Sequence, residues 1–307
     1  MNDEKTTFNG VTEIEKSDIY PLFPKRKSNT HKGTYGKVGV MGGSVNYTGA
    51  VKLCNIALTS LLSGAGLSVV IAPEEEKDSF LPYLVDSTFY PFPSENGETV
   101  FDKEAIDKAL FGLNVLVLGS GWNKSIDKIK ILEYIVKNFE GKLVLDADGI
   151  NMLAENLDIL LDKKCKIVLT PHLKEFSRLI RKDIKNLDDN VILQAKEFAK
   201  IYGVIVCVKS NVTVITDGDK AFLSCSGTPA MAKGGSGDVL AGIMGGMLAP
   251  TFIKSEDILI RAAAACYING LAGETAAKST GAYSLLASDT AFAVREVVKE
   301  FSEIALQ

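Results

Sequence analysis

The chain has 307 residues, with 34 basic and 38 acidic side chains, and its formal charge of −4 excludes the basic balance of a nucleic-acid binder. With 46% apolar and 23% charged residues it is no disordered chain, and its length suits one large α/β core. The five cysteines (Cys54, Cys165, Cys207, Cys225, Cys266) are odd in number and lack any C-x-x-C pair, so they read as buried reduced thiols.

Residues 1–30 open with the charged run Met1 to Lys5, where a signal peptide would be apolar, which points to the cytoplasm. This segment, with Pro21, Pro24 and Lys25-Arg26-Lys27, shows little periodicity and reads as an N-terminal arm. A single catalytic domain is expected over residues 31–307. Strands are expected at Val38 to Met41, Leu67 to Ile71, Val115 to Leu118, Leu143 to Leu145, Ile167 to Leu169, Val204 to Val208 and Val212 to Ile215. Most are continuously apolar, as strands covered on both faces are, and helical patterns alternate with them. Leu53 to Pro73 lacks charge for about a membrane span, yet Asn55, Ser60, Ser63 and Gly64-Ala65-Gly66 make it a buried helix followed by a strand. Val191, Ile192, Ala195, Phe198, Ala199 and Tyr202 recur at helical spacing before Gly203. Asp217-Gly218 predicts a hairpin and an antiparallel pair at one sheet edge. The expected fold is therefore α/β, a mainly parallel central sheet covered by helices on both faces, with that edge hairpin.

Several strands end in similar text: Gly42-Gly43-Ser44, Gly119-Ser120-Gly121, Asp146-Ala147-Asp148-Gly149, Thr170-Pro171-His172 and Lys209-Ser210-Asn211. Ligands of open α/β sheets bind outside the carboxyl ends of strands, so five such endings predict one shared cleft. The most informative stretch is Gly234-Gly235-Ser236-Gly237-Asp238 running into the apolar Val239 to Met244. A small-residue loop opening a helix presents unpaired N–H groups to a phosphate or a developing phosphoryl charge. A carboxylate beside that anion hole can take a proton from an attacking hydroxyl, although an isolated Asp238 could equally be an N-cap. Neither a P-loop nor a G-x-G-x-x-G fingerprint is present.

Residues Gly227 to Gly242 closely resemble the signature of the NAD(P)H-hydrate dehydratases, members of the ribokinase-like superfamily. His31 to Gly36, Gly42 to Ala50, Leu145 to Asn151 and Leu169 to Phe176 resemble that family's other motifs, in order, and the likeness covers about residues 15 to 300. The resemblance implies a ribokinase-like fold and ADP-dependent dehydration of hydrated NADH or NADPH (NADHX, NADPHX), with AMP and phosphate released. It implies Asp238 as the catalytic base, and the backbone of Gly235, Ser236 and Gly237 as the anion hole. It places Ala50, Gly121 and His172 with Asp238 on the hydrate, and Lys209, Ser210, Asn211, Val212, Thr213 and Gly237 on the nucleotide. His172 could instead be a turn residue before a helix. Asp146, Asp148 and Asn151 could orient Mg2+ through water or simply cap the following helix. The phosphate donor is ADP, or ATP. A homotetramer, a separate NAD(P)H-hydrate epimerase acting on the same substrate, and no nucleic-acid or membrane partner are also implied, since some 30 residues cannot hold a fused epimerase.

The chain departs from the family pattern at Ser210, Thr228 and Ala230. Two rival readings remain: a superfamily kinase of a small vitamin-precursor alcohol, of the hydroxymethylpyrimidine or hydroxyethylthiazole type, and a non-catalytic nucleotide-binding protein. The ordered motifs disfavour the first and the intact Asp238 the second.

Overall fold

The computed structural model describes residues 10–60, 64–183 and 190–304; the charged opening and Ser63 lie outside them. Its strands are β1 (Val11–Glu13), β2 (Lys37–Met41), β3 (Leu67–Pro73), β4 (Thr88–Phe92), β5 (Ser94–Glu95), β6 (Glu98–Thr99), β7 (Val115–Leu118), β8 (Lys142–Leu145), β9 (Lys166–Leu169), β10 (Ile205–Val208), β11 (Thr213–Thr216) and β12 (Ala221–Ser224). Its helices are α1 (Lys16–Ile19), α2 (Thr48–Ser60), α3 (Lys77–Phe80), α4 (Lys103–Leu110), α5 (Ile126–Asn138), α6 (Ala147–Leu153), α7 (Leu173–Leu179), α8 (Val191–Tyr202), α9 (Ser236–Leu248), α10 (Ile258–Thr280) and α11 (Ala287–Ile304).

Ten strands form one sheet in the order β1-β12-β11-β10-β9-β8-β7-β2-β3-β4, and β5 pairs only with β6. From β4 to β10 every pairing is parallel, while β10–β11 and β11–β12 are antiparallel. Side-chain alternation then divides the core. Val115 and Val117 point to the face covered by α2, α9, α10 and α11, whereas Leu116 and Leu118 point to the face covered by α4 to α8. The central strands thus read as unbroken apolar runs. Helix α8 is capped by Gly203, whose φ of 57° supplies the left-handed turn.

Three features differ from expectation. The hairpin is not the sheet edge, because β1 pairs parallel to β12 and lies outside it. Residues expected as an arm instead enter the core: Ile14 and Ile19 are buried, and Phe23 stacks on Phe301 of α11 at 5.9 Å. A strand of three residues is too short for its periodicity to show. Finally, Cys225 is exposed, just past the end of β12, while the other four cysteines are free and buried, with burial pushing the Cys165 thiol up to about 12.

Strand register sets the level of the cleft. Met41, Leu118, Leu145 and Leu169 are successive cross-strand partners, so Gly42, Gly119, Asp146 and Thr170 emerge side by side at the carboxyl ends. The chain order reverses between β2 and β7, which makes this the switch point of the sheet. Over it lies α9, drawn against α2 by Gly242, where a Cβ would sit 2.1 Å from the Cys54 carbonyl oxygen. Gly242→Ala in an open helix would stabilise by about 1 kcal/mol. Here the added methyl meets backbone, so we predict a loss of about 2 kcal/mol or more in urea denaturation.

Candidate active site

Asp146 leads α6, but its side chain makes no capping bond to that helix. Its first helical residue, Ala147, has φ of 47°, a conformation costing on the order of 1 kcal/mol for a residue with a side chain. The carboxylate instead turns across the strand ends: Oδ1 accepts from Thr170 Oγ1 and from Lys209 Nζ, each at 2.8 Å. Asp146 is buried and Lys209 nearly so. Burial works against the Lys209 ammonium, yet Asp146 and Glu175 outweigh it and hold its pKa above the ordinary lysine value. The capping alternative for Asp146 is therefore set aside. Asp148 accepts from the Asn123 N–H at 2.7 Å, and Asn151 is engaged by Arg178 Nη1 at 2.7 Å.

Gly235, at φ 93°, caps α9, so Asp238 is the third residue of the helix and not its N-cap. The φ of 93° at 235 favours glycine, and a Cβ there would crowd Leu53 Cδ1 at 2.5 Å. Ser236 Oγ donates to the Met231 carbonyl at 2.7 Å, tying the loop down. Of the first N–H groups of α9, that of Ser236 donates to Lys233 O at 3.4 Å and that of Val239 to Gly235 O at 3.1 Å; Gly237 and Asp238 lie between them, among the donors that a helix start leaves available. A Cβ on Gly237 would lie 3.3 Å from Lys209 Nζ and 3.5 Å from Asp146 Oδ2. Helix start, ammonium and carboxylate thus converge on one place.

Asp238 is raised to about 6, first by burial and then by Asp146, with Ser120 and Lys209 opposing and Asp148 adding to the rise. The Ser120 hydroxyl is buried and makes no full hydrogen bond among the described residues, although it faces this carboxyl. A helix start favours the anion, so burial and two neighbouring carboxylates prevail over the dipole. The result is a carboxylate that is ionised at neutral pH and basic enough to accept a proton.

Gly121 has φ of 59°, and a Cβ there would lie 2.9 Å from that of Ala50, so these two positions form one wall. His172 pairs in a bridge with Lys209 and caps α7: Nδ1 accepts from the Glu175 N–H at 3.2 Å. It is therefore both the turn residue and a neighbour of the cleft. Burial, then Lys209, lower its pKa, so it is neutral, with Nε2 3.3 Å from Glu175 Oε1. Ser210 and Asn211 are exposed and Val212 half-buried in the loop leading into Thr213, and Ser210 Oγ donates to Val212 O at 2.6 Å. His31 caps its own short turn through Gly33 and is not among these groups.

Thr170, Glu175 and Ser120 carry no role in the sequence reading. Glu175 is buried and raised to about 7 by burial, against the pull of Lys209, and Oε2 accepts from the His172 N–H at 2.9 Å. The signal available was the three-residue spacing from His172, the spacing of a capping box. Among the described residues no group of three or more His, Cys, Asp or Glu side chains is placed to hold a metal. Nor is any helix among them long and apolar enough to cross a membrane.

Known proteins resemble this chain in sequence and in fold. The family model described as NAD(P)H-hydrate dehydratase matches residues 38–294. The ADP-dependent (S)-NAD(P)H-hydrate dehydratase of Nitrosopumilus maritimus is 32% identical over 93% of this chain and 96% of its own. Other relatives are named bifunctional NAD(P)H-hydrate repair enzymes, and the chain spans about half of their length. A ribokinase-like superfamily protein of Enterococcus faecalis superposes with a TM-score of 0.82 at 24% identity, covering 96% and 98% of the two chains. The ADP/ATP-dependent NAD(P)H-hydrate dehydratase of Bacillus subtilis, co-crystallised with ATP and Mg2+, gives 0.79 at 24% identity, covering 96% and 100%.

Two stability predictions follow from the charges. Lys209→Met strands the buried Asp146 carboxylate and is expected to cost about 3 kcal/mol in urea denaturation. Asp238 binds its proton more tightly folded than unfolded, so its ionisation lowers stability as pH rises from about 4 through about 6. Asp238→Asn is accordingly expected to be more stable than the parent at pH 8, by on the order of 2 kcal/mol, and to show no advantage near pH 3.

Proposed function

This chain belongs to the NAD(P)H-hydrate dehydratase family, and on that premise we propose that it dehydrates (S)-NADHX and (S)-NADPHX to NADH and NADPH with ADP as phosphoryl donor. The observation that carries the reading is Asp238, raised to about 6 on the first turn of α9 beside Lys209 and the available N–H groups. The C6 hydroxyl of the hydrate gives its proton to Asp238 as its oxygen attacks the β-phosphorus of ADP. The phosphoanhydride bond breaks and AMP departs. The C6–O bond of the phosphorylated hydrate then breaks with electron push from the ring nitrogen, phosphate leaves, and loss of the C5 proton restores the dihydropyridine.

The N–H groups at Gly237 and Asp238 and the Lys209 ammonium stabilise the charge gathering on the transferring phosphoryl group, whereas the Ser236 N–H is taken by the Lys233 carbonyl. Ala50, Gly121 and His172 hold the hydrate, and Lys209 to Thr213 border the nucleotide. Asp146 and Asp148 would hold Mg2+ through water, together with the substrate phosphates, as suits an ion that keeps several waters. When bound it would neutralise phosphate charge; Asn151, engaged by Arg178, is not a ligand in this reading. ATP would serve in place of ADP where the site admits a third phosphate. The bifunctional relatives support a companion activity on the same hydrate, read here as a separate epimerase; a homotetramer in the cytoplasm completes the proposal.

Incubating the protein with hydrated NADH and ADP, or ATP, is expected to restore reduced-nicotinamide absorbance, with phosphate and AMP formed in equal amounts when ADP is used. No recovery with either nucleotide, or accumulation of a stable phosphate ester, overturns the assignment. Asp238→Asn should lower kcat by about a thousandfold while leaving ADP affinity within a few-fold, and wild-type kcat/KM should fall below about pH 6.

A further inference from the structure

A second cavity, of about 680 Å³, lies at the other end of α9, where Phe23, Tyr35, Met247 and Phe252 form apolar walls. Asp238 and Met247 are nine residues apart on one helix, about 14 Å along its axis, so this cavity is separate from the catalytic cleft. Its volume falls in the range of small-molecule sites.

One wall is Arg261 of α10, which is only 7% exposed. Its Nη1 donates to the Met247 carbonyl at 3.3 Å, and its Nε is buried without a hydrogen bond among the described residues. Burial, the stronger influence, lowers its pKa, and Asp257 one turn earlier only partly opposes this. No carboxylate among the described residues lies within ion-pair distance of it, so a buried guanidinium retains donor capacity directed to no protein acceptor. Lys25, Arg26 and Lys27 also line the cavity, with Arg26 stacked 3.8 Å over the Tyr35 ring, and no Asp or Glu is among the described lining residues.

We propose that this cavity binds an organic anion whose carboxylate reaches Arg261 while an apolar body, aromatic or a medium-length acyl chain, fills the space between Phe23 and Phe252. The apolar walls disfavour inorganic phosphate or a bare nucleotide phosphate, and the unsatisfied donor capacity of the guanidinium disfavours a neutral lipid.

The test uses 8-anilinonaphthalene-1-sulfonate as the fluorescent probe on the intact protein. Saturable binding of one dye per chain is expected, undiminished by saturating ADP. Decanoate should displace the dye at least tenfold more effectively than decanol. Arg261→Met should weaken decanoate by about tenfold or more. Should that variant fail to fold, Lys27→Glu on the exposed rim still decides, with a weakening of at least threefold expected. Absence of saturable dye binding, displacement by ADP, decanol matching decanoate, or variants that keep wild-type decanoate affinity would each overturn the proposal.

Discussion

The buried pair between Asp146 and Lys209 joins the ends of β8 and β10, with Thr170 at the end of β9 bonded to the same carboxylate oxygen. Three strands are thereby held at one level by a single side chain. In so small a space Lys209 is largely committed to Asp146, and its remaining influence on Asp238 is outweighed by burial and by Asp146 itself. The structural ion pair and the basicity of the catalytic candidate are two consequences of one charge arrangement. A cation left free would have pulled Asp238 down and weakened it as a base.

Precision in that arrangement comes from close backbone contact. Gly242 lets α9 lie against the carbonyl of Cys54 in α2, and Gly245 lets it lie on β2 and β7, where a Cβ would meet Val117 Cγ2 at 2.7 Å. On the opposite wall, Ser44 Oγ donates to the Gly121 carbonyl, while Asn123 bonds both Ser44 and Glu98. The fully buried Lys128 pairs with Glu98 and with the Trp122 carbonyl. This network fixes the loop carrying Gly121 against α2, so the two walls cannot drift independently.

A chain of net charge −4 cannot draw anionic nucleotides by its overall field. Attraction must be local, and the structure concentrates it where the start of α9 meets Lys209. Low dielectric there strengthens each donor relative to water. The same reasoning applies at the far end of α9, where Arg261 and its basic neighbours form a second positive pocket on an acidic protein.

Much of this protein was written in its local sequence. Runs such as Val115 to Leu118 determine buried parallel strands because both faces need apolar side chains, and polar endings at Gly119, Asp146 and Thr170 mark the cleft because ligands bind where strands stop. The order of the motifs indicated the family. Tertiary structure alone decided which charges pair. Nothing local distinguishes Asp146 as an ion-pair partner from Asp146 as a cap, nor Asp238 as an N-cap from Asp238 on the first turn, because Lys209 lies 63 residues from Asp146. It also recruited Val11–Glu13 to the sheet edge and brought Ala50 to Gly121. Hydrophobic pattern is a property of neighbours along the chain, whereas the pKa of a carboxyl depends on charges and burial that only the folded chain assembles.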